Sequence, residues 1–361
     1  METNFEAMKG SFAETIAETR ARILARRVDL TPENTELIVN ANAPSEFIPP
    51  TTDHGILLVH GLYDSPYSLL SLFERLKATD RYHLRTLLLP GHGTVPSDLL
   101  TVTLEEWMAA FRFAVKTFPP TIKTISVIGH STGGGLGLEA IHDESRIDRL
   151  VLIAPPIRIK NGFAPYAHYY RAFSWLFPRL NWYQQSDENN FAKYQSITFN
   201  SVVQVSRLAD ELAIISYPKP ILMVLSNEDE VISTQAALDY LTRQPNTRNQ
   251  ALLYSGIPQT DVASNVSVVN SQNLSEHILD YSHNCLPNAP DHPYYGKHGG
   301  YKGDHHYQSW WGKWLPHQND PEIYYGAISL GHLKQYHLNR LTYNPQFDVM
   351  LERILTFISE V

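Results

Sequence analysis

The sequence lacks several features that mark particular classes of protein. It contains one cysteine, Cys285, so no disulfide can form within the chain. Acidic residues outnumber Lys and Arg by 37 to 29. The resulting net charge of −8 argues against sequence-independent binding to nucleic-acid phosphates. No run of about 18 apolar residues occurs, and the N-terminal stretch has no apolar core of a secretory signal. We therefore expect a soluble, cytoplasmic protein with no transmembrane segment and no nucleic-acid partner.

The composition that is present is typical of a folded chain. Hydrophobic residues make up 43% of the 361 residues and charged residues 18%, which are ordinary values for a globular protein. A chain of this length can bury about 75% of its unfolded surface. The composition therefore predicts one large domain with insertions.

Short apolar runs alternate with segments of helical period from about residue 55 onward. Each run is bounded by Gly, Pro or charge, and together they comprise Ile56–Val59, Leu84–Leu89, Ile125–Ile128, Leu150–Ala154 and Ile221–Leu225. Uninterrupted apolar strands are typical of a parallel sheet whose two faces are both covered. The pattern predicts an α/β fold with a doubly wound, mostly parallel sheet.

Three other regions depart from this alternation. Residues 1–50 show helical periodicity, and we assign them to an N-terminal helical segment. Residues 157–216 are rich in aromatic side chains and too long for a plain loop, so we assign them to a helical cap. The cap is then inserted in a core of residues 51–156 and 217–361. Residues 287–327 form a further irregular segment, to which we assign no role.

The aromatic side chains of the predicted cap have two interpretations. Phe173, Trp175 and Phe177 can line an apolar pocket over the ends of the strands, and we predict that they bind substrate. The alternative is that they only pack inside the cap.

The motif GHSTG, residues 129–133, joins a predicted strand to a segment of helical period. It matches G-x-S-x-G, in which a serine lies on a sharp strand-to-helix turn. Gly129 and Gly133 suit this turn because a Cβ at either position would collide across it. The following helix N-terminus presents free backbone N–H groups to developing negative charge. The motif predicts a nucleophilic Ser131, with the N–H of Thr132 as one oxyanion donor.

The loop after strand Ile56–Val59 is the expected source of a second oxyanion donor. The N–H of Leu62 has the natural position for that donor. His54, His60 and His92 have defined neighbourhoods, and we predict that all three support turn structure around the site.

With these motifs the sequence resembles the α/β-hydrolase superfamily, in particular its lipase and esterase branch, which includes monoglyceride lipases and bacterial carboxylesterases. Further matches are the turn PGHG at 90–93 and the sequence APP at 154–156. The resemblance covers residues 55–156 and 217–285. It implies an α/β-hydrolase fold and hydrolysis of a carboxylic ester through an acyl-enzyme on Ser131. It also implies a small-molecule ester with an apolar acyl or alcohol group, and no cofactor or metal.

The resemblance places the acid of a catalytic triad on the turn after strand Ile221–Leu225. The D-x-V/I spacing makes Asp229 the best match. Glu228 and Glu230 on the same turn are the alternatives.

The base is expected at the end of a later strand. Glu276–Asn284 has the pattern of a strand that ends in a histidine, and Ile257–Gln272 looks like an insertion before it. His283 would take the serine proton through one ring nitrogen while Asp229 fixes the other. His332, in a Gly-His pair before the last helix, is the alternative base.

Other functions remain open at this stage. An acyltransferase would share every residue named above and differ only in excluding water. A peptidase would need a polar anchor in the cap, for which Asp187 and Glu188 are candidates. A non-enzymatic binding protein on this scaffold would more typically have lost one of the three residues. The 16 histidines show no metal-binding spacing, so we predict no metal site.

Overall fold

The computed structural model describes residues 10–140, 144–160, 178–301, 317 and 320–360. The strands in these residues, in chain order, are β1 (Glu46–Phe47), β2 (His54–Val59), β3 (His83–Leu87), β4 (Thr124–His130), β5 (Ile147–Ile153), β6 (Trp182–Gln184), β7 (Ile197–Thr198), β8 (Ile221–Ser226), β9 (Gln250–Ser255), β10 (Val266–Asn270), β11 (Ile323–Gly326) and β12 (His337–Arg340). Eight of them form one sheet in the order β1-β3-β2-β4-β5-β8-β9-β10.

This central sheet is parallel except at one edge. β1 pairs antiparallel with β3, and every other neighbouring pair runs parallel. Consecutive residues of a strand point to opposite faces, and Ile56 to Val59 of β2 are all fully buried. Both faces of the sheet are therefore covered. The predicted fold class is confirmed.

Helices cover the sheet and carry recognisable start signals. In the described residues they are α1 (Phe12–Arg26), α2 (Thr35–Asn42), α3 (Leu70–Lys77), α4 (Leu104–Lys116), α5 (Thr132–Glu139), α6 (Phe199–Leu212), α7 (Thr234–Thr242), α8 (Leu330–Leu333) and α9 (Phe347–Ser359). Ser11 with Glu14 and Thr103 with Glu106 form capping boxes at the starts of α1 and α4. The inner face of α4 buries Trp107 and Phe111 completely, which fixes this helix to the core.

The region predicted as a cap contains mixed structure where it is described. A short 3-10 helix, Pro178–Asn181, precedes the antiparallel pair β6 and β7, and α6 follows directly. Phe173, Trp175 and Phe177 lie outside the described residues. Within those residues, no helix combines the length and apolar character needed to cross a bilayer.

Two expectations about the C-terminal half were wrong. The segment Glu276–Asn284 is not a strand, because His277 adopts a left-handed φ of 56° and only Ile278 forms isolated bridges. The last strand of the central sheet is instead β10, which lies inside the segment interpreted as an insertion. β10 forms the sheet edge and is half exposed, so it has no apolar run that sequence inspection can detect.

Candidate active site

The candidate nucleophile Ser131 lies between β4 and α5 at the carboxyl edge of the sheet. Its backbone has φ 50° and ψ −119°, a strained combination for a residue with a Cβ. Hydrogen bonds on both sides hold this conformation. The N–H of Ser131 donates to the Ile153 carbonyl at 2.8 Å, and its carbonyl accepts from Gly134 N at 2.9 Å.

The glycines around Ser131 are required by neighbouring backbone. A Cβ at Gly133 would lie 2.2 Å from the Val59 carbonyl oxygen, and one at Gly129 would lie 2.3 Å from Gly134 N. A Cβ at Gly61 would lie 3.1 Å from the Ser131 Cβ. The turn after β2 therefore passes directly beside the candidate nucleophile.

The two predicted oxyanion donors lie on either side of this contact. Leu62 follows Gly61, and Thr132 follows Ser131 at the first turn of α5. In the described part of the chain, neither backbone N–H donates to a protein acceptor. Two neighbouring N–H groups without a protein acceptor are suited to an oxygen atom supplied by a ligand.

A pair of neutral histidines supports the turn that contains Leu62. The Nε2 atom of His92 accepts from Tyr63 N at 3.1 Å, and the Nε2 atom of His60 accepts from Leu89 N at 3.1 Å. Each Nδ1 atom therefore carries the proton, and it donates to the Gly61 or Pro90 carbonyl. Burial lowers the pKa of His60 to about 4 and that of His92 to about 3. Both rings are uncharged at neutral pH, which agrees with the supporting role predicted for them.

The candidate acid and base form a direct pair. Asp229 is completely buried, and its Oδ2 atom lies 2.7 Å from Nδ1 of His283. Its Oδ1 atom accepts from the N–H groups of Val231 at 2.8 Å and Ile232 at 2.9 Å. These bonds fix the carboxylate and direct the Nδ1 proton of His283 toward it. In the described residues, Nε2 of His283 has no protein partner and is available to the nucleophile.

His283 lies against the turn that carries the candidate nucleophile. Its ring centroid is 5.1 Å from that of His130, the residue before Ser131. Nε2 of His130 also lies 3.3 Å from the His283 carbonyl oxygen. The pair Asp229 and His283 thus lies against the turn that carries Ser131.

The alternative acids and base occupy other positions. Glu228 accepts from Asn227 and from Gly256 N, away from the His283 ring. Glu230 accepts from the backbone N–H of His283 at 3.0 Å. Nε2 of His332 lies 3.4 Å from Oδ2 of Asp280, so this histidine pairs with a different carboxylate.

Sequence reasoning missed Lys193, which connects the two sides of the site. Its ammonium group donates to Oδ1 of Asn284, the residue after His283, at 2.8 Å. It also lies 3.8 Å from Oδ2 of the buried Asp64, two residues beyond Leu62. No sequence motif marks this lysine, because its partners come from distant turns.

Comparison with known proteins identifies the family. The sequence profile described as "Alpha/beta hydrolase family" matches residues 56–262, which is more than half of the chain. The chain belongs to this family, and the resemblance inferred from its motifs is confirmed. It is also 36% identical over 84 residues to a thermostable monoacylglycerol lipase from Bacillus sp. (strain H-257), a match that covers 23% of this chain and 33% of that enzyme. The match therefore spans about a third of the length of this relative.

The same fold occurs in a solved structure. A structure from work on LipS and LipT, two metagenome-derived lipolytic enzymes, superimposes with a TM-score of 0.50 at 20% identity, over 59% of this chain and 86% of that one. A monoacylglycerol lipase from Paleococcus ferrophilus gives a TM-score of 0.47 at 16% identity, over 59% and 88% of the two chains.

Proposed function

We propose that this protein is a serine hydrolase that cleaves carboxylic esters through an acyl-enzyme on Ser131. The observation that carries the proposal is the buried pair of Asp229 and His283, 2.7 Å apart, which lies against the turn of a serine with a strained φ of 50°. Nucleophile, base and orienting acid are the three parts of a serine triad.

The chemistry follows from the geometry of these residues. His283 Nε2 takes the proton of Ser131 Oγ as this oxygen attacks the ester carbonyl carbon. The carbonyl electrons move to the oxygen, where the N–H groups of Leu62 and Thr132 stabilise the negative charge. When the tetrahedral intermediate collapses, the imidazolium gives its proton to the departing alkoxide, and an alcohol leaves.

The second half of the reaction regenerates the enzyme. His283 takes a proton from water, and the resulting hydroxide attacks the acyl-enzyme carbonyl through a second tetrahedral intermediate. The proton then returns to Ser131 Oγ as the carboxylic acid leaves. Asp229 keeps the imidazole in one tautomer and stabilises its charged form during both halves.

The proposed substrate is a small-molecule ester with an apolar acyl or alcohol group. The Bacillus relative is named a monoacylglycerol lipase, which supports this substrate class. In this proposal residues 51–156 and 217–361 form the core, and residues 157–216 form a cap whose Phe173, Trp175 and Phe177 line the pocket.

The test combines a chain-length series of p-nitrophenyl esters with a fluorophosphonate probe. We expect wild-type protein to hydrolyse the esters and to be labelled at Ser131, and Ser131→Ala to lose both properties while it remains folded. Ser126→Ala is the matched control, because Ser126 lies on β4, the strand that leads to Ser131, and bonds to His54 at 2.8 Å, away from His283. Unchanged turnover in Ser131→Ala would end the proposal. Predominant transfer to an added alcohol would identify an acyltransferase instead.

A further inference from the structure

The loop that carries His283 pairs its backbone with a strand outside the central sheet. This base loop, residues 277–284, pairs with β11 through two backbone hydrogen bonds. Leu279 N donates to the Tyr325 carbonyl at 2.8 Å, and Tyr325 N donates to the His277 carbonyl at 2.8 Å. The position of His283 therefore depends on residues that follow it in the chain.

The C-terminal strand pair supports the base loop at further points. Oδ1 of Asp280 accepts from Ala327 N at 2.7 Å, and Oγ of Ser282 donates to the Leu341 carbonyl at 2.6 Å. Both acceptor and donor on the base loop are buried. The loop is consequently fixed immediately before His283.

Glu230 fixes the backbone of His283 itself. Its Oε2 atom accepts from His283 N at 3.0 Å. Glu230 directly follows Asp229, which accepts from the His283 ring. Two successive carboxylates therefore hold one histidine, the first at its ring and the second at its backbone. Together they restrict both the rotation and the translation of the imidazole.

Arg340 holds the other oxygen of the Glu230 carboxylate. Its Nε atom, at the end of β12, lies 3.2 Å from Oε1 of Glu230. The contact is an ion pair, without the alignment of a hydrogen bond. The two side chains are only 16% and 11% exposed, so each charge depends on a nearby partner of opposite sign. β12 pairs with β11, so the strands that hold the base loop also present this arginine.

We propose that Glu230 and Arg340 are positioning residues for proton transfer at Ser131. Arg340 holds the carboxylate of Glu230, which fixes the backbone of His283 and so aims its free ring nitrogen. The inference rests on the proposed function, because it takes His283 as the base. A displacement of about 1 Å in a reacting group can cost about 100-fold in rate, so this support matters for turnover.

The test measures kcat per active site, with active sites counted by fluorophosphonate titration. Glu230→Asp is one methylene shorter and cannot reach both His283 N and Arg340, so we expect kcat to fall about 10- to 100-fold with KM within about twofold. Glu230→Gln keeps the length and an acceptor oxygen. It keeps the bond to His283 N and loses the ion pair with Arg340, so we expect kcat to fall about threefold, as in Arg340→Gln and less than in Glu230→Asp, together with some loss of stability.

Glu46→Asp is the matched control. Glu46 is also largely buried and pairs with Arg85 at 2.7 Å, but it lies on the edge strand β1. We expect this variant to lose stability and to keep the wild-type kcat per titrated site. A parallel fall of kcat in Glu46→Asp and Glu230→Asp would indicate a general loss of structure and overturn the inference.

Equal kcat per site in wild type, Glu230→Asp and Glu230→Gln would also overturn it. If Glu230→Asp does not fold, Arg340→Gln decides, because release of the Glu230 carboxylate must lower kcat per site about threefold or more. Absence of labelling in wild type would contradict the proposed function. Normal labelling with an unaffected Glu230→Asp would contradict only the positioning role.

Discussion

Two regions form the candidate site, the turn that carries Ser131 (residues 129–133, the nucleophile turn) and the base loop. Different physical contacts fix the conformation of each. Around Ser131, conformation is set by close backbone contacts with neighbouring strands, which glycine alone tolerates. The base loop has no regular structure across His283, and its position is fixed by Glu230, 53 residues before His283, and by Tyr325, which follows much later in the chain. The conformation around Ser131 can therefore be recognised from a short sequence motif. The conformation of the base loop depends on the complete fold and is exposed to changes far from the site.

The largest effect is expected in the nucleophile turn. Gly133→Ala would place a Cβ 2.2 Å from the carbonyl oxygen of Val59, and the backbone of β2 cannot move aside. We expect a loss of more than about 3 kcal/mol in the free energy of unfolding, with no measurable esterase activity. Thermal unfolding measures the loss of stability, and p-nitrophenyl ester hydrolysis measures the loss of activity.

Gly137→Ala is the control for this steric effect. Its nearest contact would be the Val127 side chain at 3.2 Å, and alanine favours a helix interior by up to about 1 kcal/mol. We therefore expect a stability close to that of wild type. Wild-type stability and activity in Gly133→Ala would show that local backbone contacts do not define the turn.

The next largest effect is expected at the base. His283→Ala removes the base proposed for Ser131, and we expect kcat to fall at least about 1000-fold at neutral pH. His332→Ala should keep most activity, because His332 pairs with Asp280 at 3.4 Å. Steady-state kinetics of the two variants decide between these histidines. The opposite result would identify His332 as the base and make His283 a structural residue.

The sequence predicts the elements whose signals are local. Buried parallel strands appear as apolar runs. In the motif around Ser131, the glycines mark the positions where the turn has no room for a Cβ. The pairing of Asp229 with His283 can be inferred only through the family resemblance, since 54 residues separate them.

Long-range contacts explain what the sequence does not predict. The edge strand β10 is half exposed, and polar residues interrupt its apolar ones. Its sequence therefore looks like part of an insertion. The backbone of the base loop pairs with β11 and not with a strand of the central sheet, so the expected strand does not form. Glu230 binds a backbone N–H, which every residue except proline carries, and no residue pattern identifies such a partner.

A moderate effect is expected from the histidine that supports the oxyanion turn. His92→Ala leaves Tyr63 N without its acceptor at 3.1 Å, in a residue whose φ of 63° is already strained. The N–H of Leu62 is then less well aimed, and we expect kcat/KM to fall about 10-fold, by roughly 1.4 kcal/mol. His54→Ala is the control, because His54 lies at the start of β2, at the other end of the strand from the turn. Equal kinetics in the two variants would contradict this role.

The smallest effect is a pH dependence of stability. It has opposite signs for the histidines that support the turn containing Leu62 and for Asp280 of the base loop. Burial lowers the pKa of His60 and His92 to about 4 and about 3, so the stability they provide is present above about pH 6.5 and is lost as the pH falls through these values. Burial raises the pKa of Asp280 to about 6 from a usual value of 3.8. Its contribution is complete below about pH 4 and is lost as the pH rises through about 6.

Asp280→Asn tests this difference. Asparagine keeps an oxygen that accepts from Ala327 N, now at 2.7 Å, and it cannot ionise. We expect the Tm of the variant, relative to wild type, to rise by about 2 °C or more between pH 5 and pH 8. His92→Gln should show the opposite trend at acid pH: between pH 7 and pH 5 it should lose less Tm than wild type, because it lacks one histidine that protonates on unfolding. A Tm difference for Asp280→Asn that is constant with pH would contradict the raised pKa of Asp280 and would show that its contribution to stability is not lost under alkaline conditions.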